Sequence, residues 1–181
     1  MVQQGHALYD APMTSNLLRA ATLILLTAAS SIPAHADGRA DWKDYAWQQI
    51  KLSQCSDAGN TITCPLYHQK WDWKRNQWVD ITITLDRANG ELHLTQRLTD
   101  NDKADDDDVC VTALAVDAAG KTLLAHHQNW RMRHGEVTEK SFTYRSPALD
   151  QIAAFAIGSK QCRQGAHQDD AVYARVLAGI Q

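Results

Sequence analysis

Residues 100–108 read Asp-Asn-Asp-Lys-Ala-Asp-Asp-Asp-Asp and place six carboxylates within nine positions. Like charges at this density repel unless water or a cation separates them. Ca²⁺, which takes about six to eight oxygen ligands, suits such a loop. Asp100, Asp102, Asp105, Asp106, Asp107 and Asp108 are therefore the candidate metal ligands, with calcium the one cofactor expected. The spacing is not that of an EF-hand. Counted from Asp100, the fifth position is Ala104, the sixth is Asp105 where glycine is required, and the twelfth is Val111. A solvated acidic loop is the plain alternative, and recognition of a basic partner is a third.

Aromatic residues form the second group. Five of the six tryptophans lie within residues 42–78, namely Trp42, Trp47, Trp71, Trp73 and Trp78. On a strand, Tyr67, Trp71 and Trp73 share one face, and His68, Lys70 and Asp72 share the other. An exposed row of rings could stack sugars or dock a protein, so Trp71, Trp73 and Trp78 are the candidate ligand-binding residues. The competing expectation is that these rings fill a core. Trp78 is the exception by parity, since it aligns with Asp80, Thr82 and Thr84 and away from Val79, Ile81 and Ile83.

Histidines give little. His126 and His127 are adjacent, so on a strand they point to opposite faces and cannot easily share a metal. His68, His93, His134 and His167 are scattered, and surface positions are expected. Residues 115–122, AVDAAGKT, fall short of a phosphate-binding loop because Ala115 stands where the first glycine belongs, and a hairpin turn is expected instead. No G-x-S-x-G elbow or H-E-x-x-H pair occurs. No catalytic residue is assigned.

The elements that must position these groups read as strands. Residues 79–85, VDITITL, alternate strictly and are rich in β-branched side chains. Asn89-Gly90 is a strong hairpin signal, and Leu92, Leu94 and Leu98 continue on the return. Residues 109–116 and 152–157 are apolar on both faces, as central strands are. Residues 41–52 fit either a helix or a strand. Asp169-Asp170 could cap a short C-terminal helix carrying Val172, Val176, Leu177 and Ile180. Turns recur closely and no long helical period intervenes. The fold expected is mainly β, an antiparallel sandwich of immunoglobulin-like architecture with a short C-terminal helix.

Compartment follows from the N-terminus. Arg19, the apolar run 20–29 and Ala34-His35-Ala36 follow the order of a signal peptide, with cleavage after residue 36 and Met13 as an alternative start. The run is shorter than the ~20 residues a membrane helix needs. The expected product, residues 37–181, is one exported domain, periplasmic or extracellular. It loses one acid (Asp10) and one base (Arg19), so it keeps the net charge of −3, which argues against a nucleic-acid partner. In an oxidising compartment the four cysteines are expected to pair as Cys55–Cys64 and Cys110–Cys162. The function expected is a non-catalytic binding or interaction domain for a protein or glycan, Ca²⁺-dependent through the Asp-rich loop. A hydrolase with a spatially assembled Asp/Glu/His site and a structural envelope component are the rivals.

Overall fold

The structure is a computed structural model and describes residues 39–72, 76–163, 165 and 167–180. The expected signal peptide and Trp73 lie outside the described residues.

Among the described residues, ten strands make two antiparallel sheets. They are β1 (Ala46–Lys51), β2 (Ser56–Asp57), β3 (Thr61–Thr63), β4 (Tyr67–Asp72), β5 (Gln77–Asp86), β6 (Glu91–Thr99), β7 (Asp107–Val116), β8 (Thr122–Met132), β9 (Val137–Arg145) and β10 (Ala154–Gln161). One sheet runs β1-β10-β7-β8. The other runs β2-β3-β5-β6-β9, with β4 also pairing with β5. β3 and β4 are two pieces of one edge. Thr61–Thr63 pair with the far end of β5 and Tyr67–Asp72 with its near end. Pro65, which has no N–H to donate, lies in the gap between them. Among the described residues one α-helix, α1 (Asp170–Ile180), follows the last strand.

The strict alternation of β5 becomes one buried face. Val79, Ile81, Ile83 and Leu85 meet Leu92, Leu94 and Leu98 of β6, and across the sandwich Val109, Val111, Ala113, Phe155 and Ile157. Each large aliphatic buried there contributes roughly 1.5–3 kcal/mol of transfer free energy. β7 and β10 are apolar on both faces because their sheet is covered twice. Leu114, Val116, Ala125 and Ala156 form a second cluster with Trp42, against which Val172, Tyr173, Val176 and Ile180 of α1 pack. Leu177, expected on the packing stripe, is instead exposed. Residues 41–52 resolve to a 3-10 turn at Arg39–Asp41 followed by β1.

Both cysteine pairings hold, Cys55–Cys64 and Cys110–Cys162. Residues 115–122 form the β7–β8 hairpin: Asp117 Oδ1 accepts from the N–H groups of Ala119 and Lys121, and Gly120 takes a φ of 85°. Among the described residues no helix is long and apolar enough to cross a membrane.

Candidate functional site

The Asp-rich segment connects β6 to β7, and the two sheets pull its ends in different ways. Asp100 directly follows β6 and is buried, and Asp107 opens β7 and is buried too. Both carboxylates accept from the same side-chain nitrogen. Gln77 Nε2, at the start of β5, lies 2.8 Å from Asp100 Oδ1 and 2.6 Å from Asp107 Oδ2. Gln161, at the end of β10, donates from Nε2 to Asp107 Oδ1 at 2.8 Å. The Asp102 N–H donates to Asp100 Oδ1 at 2.8 Å. Four side chains from both sheets thus meet at one end of the sandwich. Burial raises the Asp100 carboxyl above the ordinary carboxylate range, against the hydrogen bonds from Gln77 and Asp102; the charges of Asp107 and Asp102 push the same way as burial.

The side chains of the other four aspartates do not join this node. Asp106 is exposed and pairs with Arg131 and with His134 Nδ1 at 3.4 Å, and the hydrogen bonds from His134 hold its carboxyl below the usual range. Asp105 is exposed, Asp102 is half-buried and caps the Ala104 N–H, and Asp108 is half-buried within β7. Among the described residues, no three His, Cys, Asp or Glu side chains converge as a metal-holding group. The acidic run is divided by its geometry: two aspartates are buried and the other four are half-buried or exposed.

Beside the node lies a cleft of about 570 Å³, bordered by Asp44 and Ala46, by Lys70, Trp71 and Asp72 of β4, by Ser159, Lys160 and Gln161 of β10, and by Arg163 and Gln168. It occupies the side of the sandwich where the edge strands β1 and β4 leave β10 partly uncovered. Gln161 belongs to the cleft and to the carboxylate node alike. Lys160 is nearly buried there. Its ammonium donates to the Lys43 carbonyl at 2.8 Å, pairs with Asp169 Oδ2 at 2.7 Å and sits 4.6 Å from the centre of the Tyr45 ring.

The candidate aromatic platform divides in the same way. Trp71 is 5% exposed and belongs to the main core, with Nε1 donating to the Trp78 carbonyl, so its ring faces are not presented to solvent. Trp78 is half-exposed on the outer face, as its parity requires. Its ring is already stacked on His68, 4.3 Å between centroids and 13° from parallel, and Lys70 Nζ lies 5.0 Å from its centre. His68 is held in turn by Asp80.

The adjacent histidines do point to opposite faces, yet neither is a surface residue. His126 faces the core between the sheets, with Nδ1 2.6 Å from the Tyr144 hydroxyl. Burial lowers it to about 4, helped by the neighbouring His127. The His127 side chain is 2% exposed under α1, in contact with the Trp42 and Tyr173 rings, with Thr112 Oγ1 2.9 Å from Nδ1. Both are enclosed because β8 is covered on each side, by β9 and by α1.

Sequence reasoning missed Gln77, Gln161 and Lys160. A glutamine at the first or last position of a strand carries no local signature, and a lysine inside a strand reads as solvent-facing until its partner, here Asp169, is known.

No family model and no curated protein matches this sequence. Among solved structures, the enzymatically active domain of bacteriophage CBA120 tailspike protein 4 is similar over 68% of this chain at 7% identity and a TM-score of 0.26. The match spans 18% of the tailspike chain.

Proposed function

We propose that this chain is an exported, non-catalytic binding domain that takes a polypeptide segment of mixed charge along the cleft between β1, β4 and β10. The observation that carries the reading is the cleft itself. It is large enough for several side chains, it is bordered by residues of both signs, with Asp44 and Arg163 among them, and it is flanked by two edge strands. Edge strands hold main-chain donors and acceptors that an extended peptide can pair with, while the charged rim selects among peptides. A glycan is disfavoured as the ligand because the rings that would stack sugars are buried (Trp71) or already covered by His68 (Trp78). Export is supported by the order of charge, apolar run and small residues before position 37, and by two disulfides in a chain with four cysteines.

The test is a peptide-display selection on the exported protein, followed by amide chemical-shift mapping of a selected peptide. Shifts confined to β1, β4 and β10, with affinity falling at least about tenfold in Arg163→Glu, support the proposal. Selected peptides that map elsewhere, or cleavage of the bound peptide by the wild-type protein, overturn it.

A further inference from the structure

Opposite the cleft, the sandwich ends in two edge strands, β8 of one sheet and β9 of the other. Among the described residues β9 pairs with β6 alone. It is nine residues long, keeps its register with β6 from Val137 to Arg145 without a bulge, and contains no proline. Such an edge presents main-chain donors and acceptors that another strand can take, unless charge, a proline or a bulge deters it. The core is incompletely covered along the same side. Leu124 and Trp130 of β8 and Phe142 and Tyr144 of β9 pack against the main cluster yet are only half-buried.

The sequence of β9 complements itself. When two copies meet about a two-fold axis perpendicular to the sheet, their β9 strands run antiparallel and each side chain keeps its face. An axis through Phe142 sets Glu139 opposite the partner's Arg145 and Ser141 opposite the partner's Thr143, with the two Phe142 rings beside one another. Opposite charges, hydroxyl pairs and aromatic pairs are cross-strand combinations that favour pairing. The neighbouring registers are poorer. An axis through Lys140 puts the two lysines directly opposite each other, and one through Ser141 sets Lys140 against Phe142 and Glu139 against Thr143. Glu139 and Arg145 are both exposed. Arg145 is held in place by Glu91, whose Oε1 accepts from its Nε at 2.8 Å, and Glu91 lies on β6, away from the open edge. Lys140, whose charge would ordinarily guard such an edge, has its Nζ 3.2 Å from the centre of the Trp130 ring.

We propose that β9 is a homodimer interface, two copies pairing antiparallel through residues 139–145 about an axis at Phe142. The pairing joins two six-stranded sheets into one and covers the half-buried rings at the open side. It leaves the cleft between β1, β4 and β10 free, so it goes beyond the peptide-binding reading and does not rest on it.

The test is sedimentation of the exported protein over a range from micromolar to near-millimolar, with amide hydrogen exchange read at both ends. The expected result is a reversible dimer, with protection of β9 amides rising as the dimer forms. Glu139→Arg and Arg145→Glu are each expected to weaken it at least about tenfold, since each sets like charges opposite one another, and the double variant to recover most of the loss. Val137→Ser, outside the paired residues, is expected to leave it unchanged. Should a charge reversal fail to fold, Glu139→Gln provides a milder comparison, expected to weaken the dimer severalfold. A monomer at every concentration overturns the proposal, as does a dimer whose new protection falls on β1 or β4. A double variant no tighter than the single ones overturns the register.

Discussion

His126 and Tyr144 join the two sheets through a hydrogen bond of 2.6 Å between Nδ1 and the phenol, at the side where β8 faces β9. The pair is enclosed. His126 is 1% exposed, its ring lies 4.6 Å from that of Phe142, and burial raises the Tyr144 hydroxyl well above its ordinary value. A neutral imidazole is therefore part of the interior, and its protonation is coupled to unfolding.

This coupling predicts acid lability with a defined window. The folded pKa of His126 is lowered from 6.5 to about 4, so the unfolded chain binds this proton more readily than the native one. Above pH 6.5 the residue costs nothing. Stability falls as the pH drops from about 6.5 towards about 4 and levels off below that. At ~1.4 kcal/mol for each pH unit separating the two values, the loss is on the order of 3 kcal/mol. Urea midpoints measured at pH 7.5 and 4.5 test this, with His126→Phe expected to flatten the dependence. Tyr144→Phe is expected to cost ~1–3 kcal/mol at neutral pH by leaving Nδ1 without its partner.

Lys160 and Asp169 form an ion pair with side chains only 5% and 11% exposed. Removing one partner of such a pair costs ~3–5 kcal/mol, because the other charge stays buried. Lys160→Met is thus expected to destabilise strongly, while Lys160→Met with Asp169→Asn recovers more than half of the loss. Asparagine suits that position, since Asp169 holds a φ of 72° that it tolerates. Denaturant unfolding of both single variants and the double variant measures the coupling. Additive losses would show that the pair contributes nothing beyond its two separate environments.

Gly158 is fixed by a ring rather than by a turn. A Cβ there would lie 2.8 Å from Trp47 Cε3 and 3.2 Å from Tyr45 Cδ1, where the two rings stack at 5.3 Å over β10. Gly158→Ala is expected to cost ~1–3 kcal/mol and to shift tryptophan fluorescence as Trp47 is displaced. In a Trp47→Ala background the same substitution is expected to cost below ~1 kcal/mol. An equal penalty in both backgrounds would place the strain elsewhere.

Much of this architecture is legible in the residues alone. The alternation of β5, the Asn-Gly turn before β6 and the two-faced apolar runs of β7 and β10 are local patterns, and local patterns follow from the two-residue period of a strand. The pairing of Cys110 with Cys162 is legible once the shorter Cys55–Cys64 loop is taken. The site is not legible in this way. Six aspartates within nine positions look equivalent in sequence, and only the docking of the two sheets turns Asp100 and Asp107 inward onto Gln77 while Asp105 and Asp106 stay exposed. The same holds for Trp71, buried where a platform was conceivable, for Lys160, and for His126 and His127. Burial of a polar group depends on partners far away in sequence, 23 and 30 residues from Gln77 to its two aspartates, and no strand period encodes that distance.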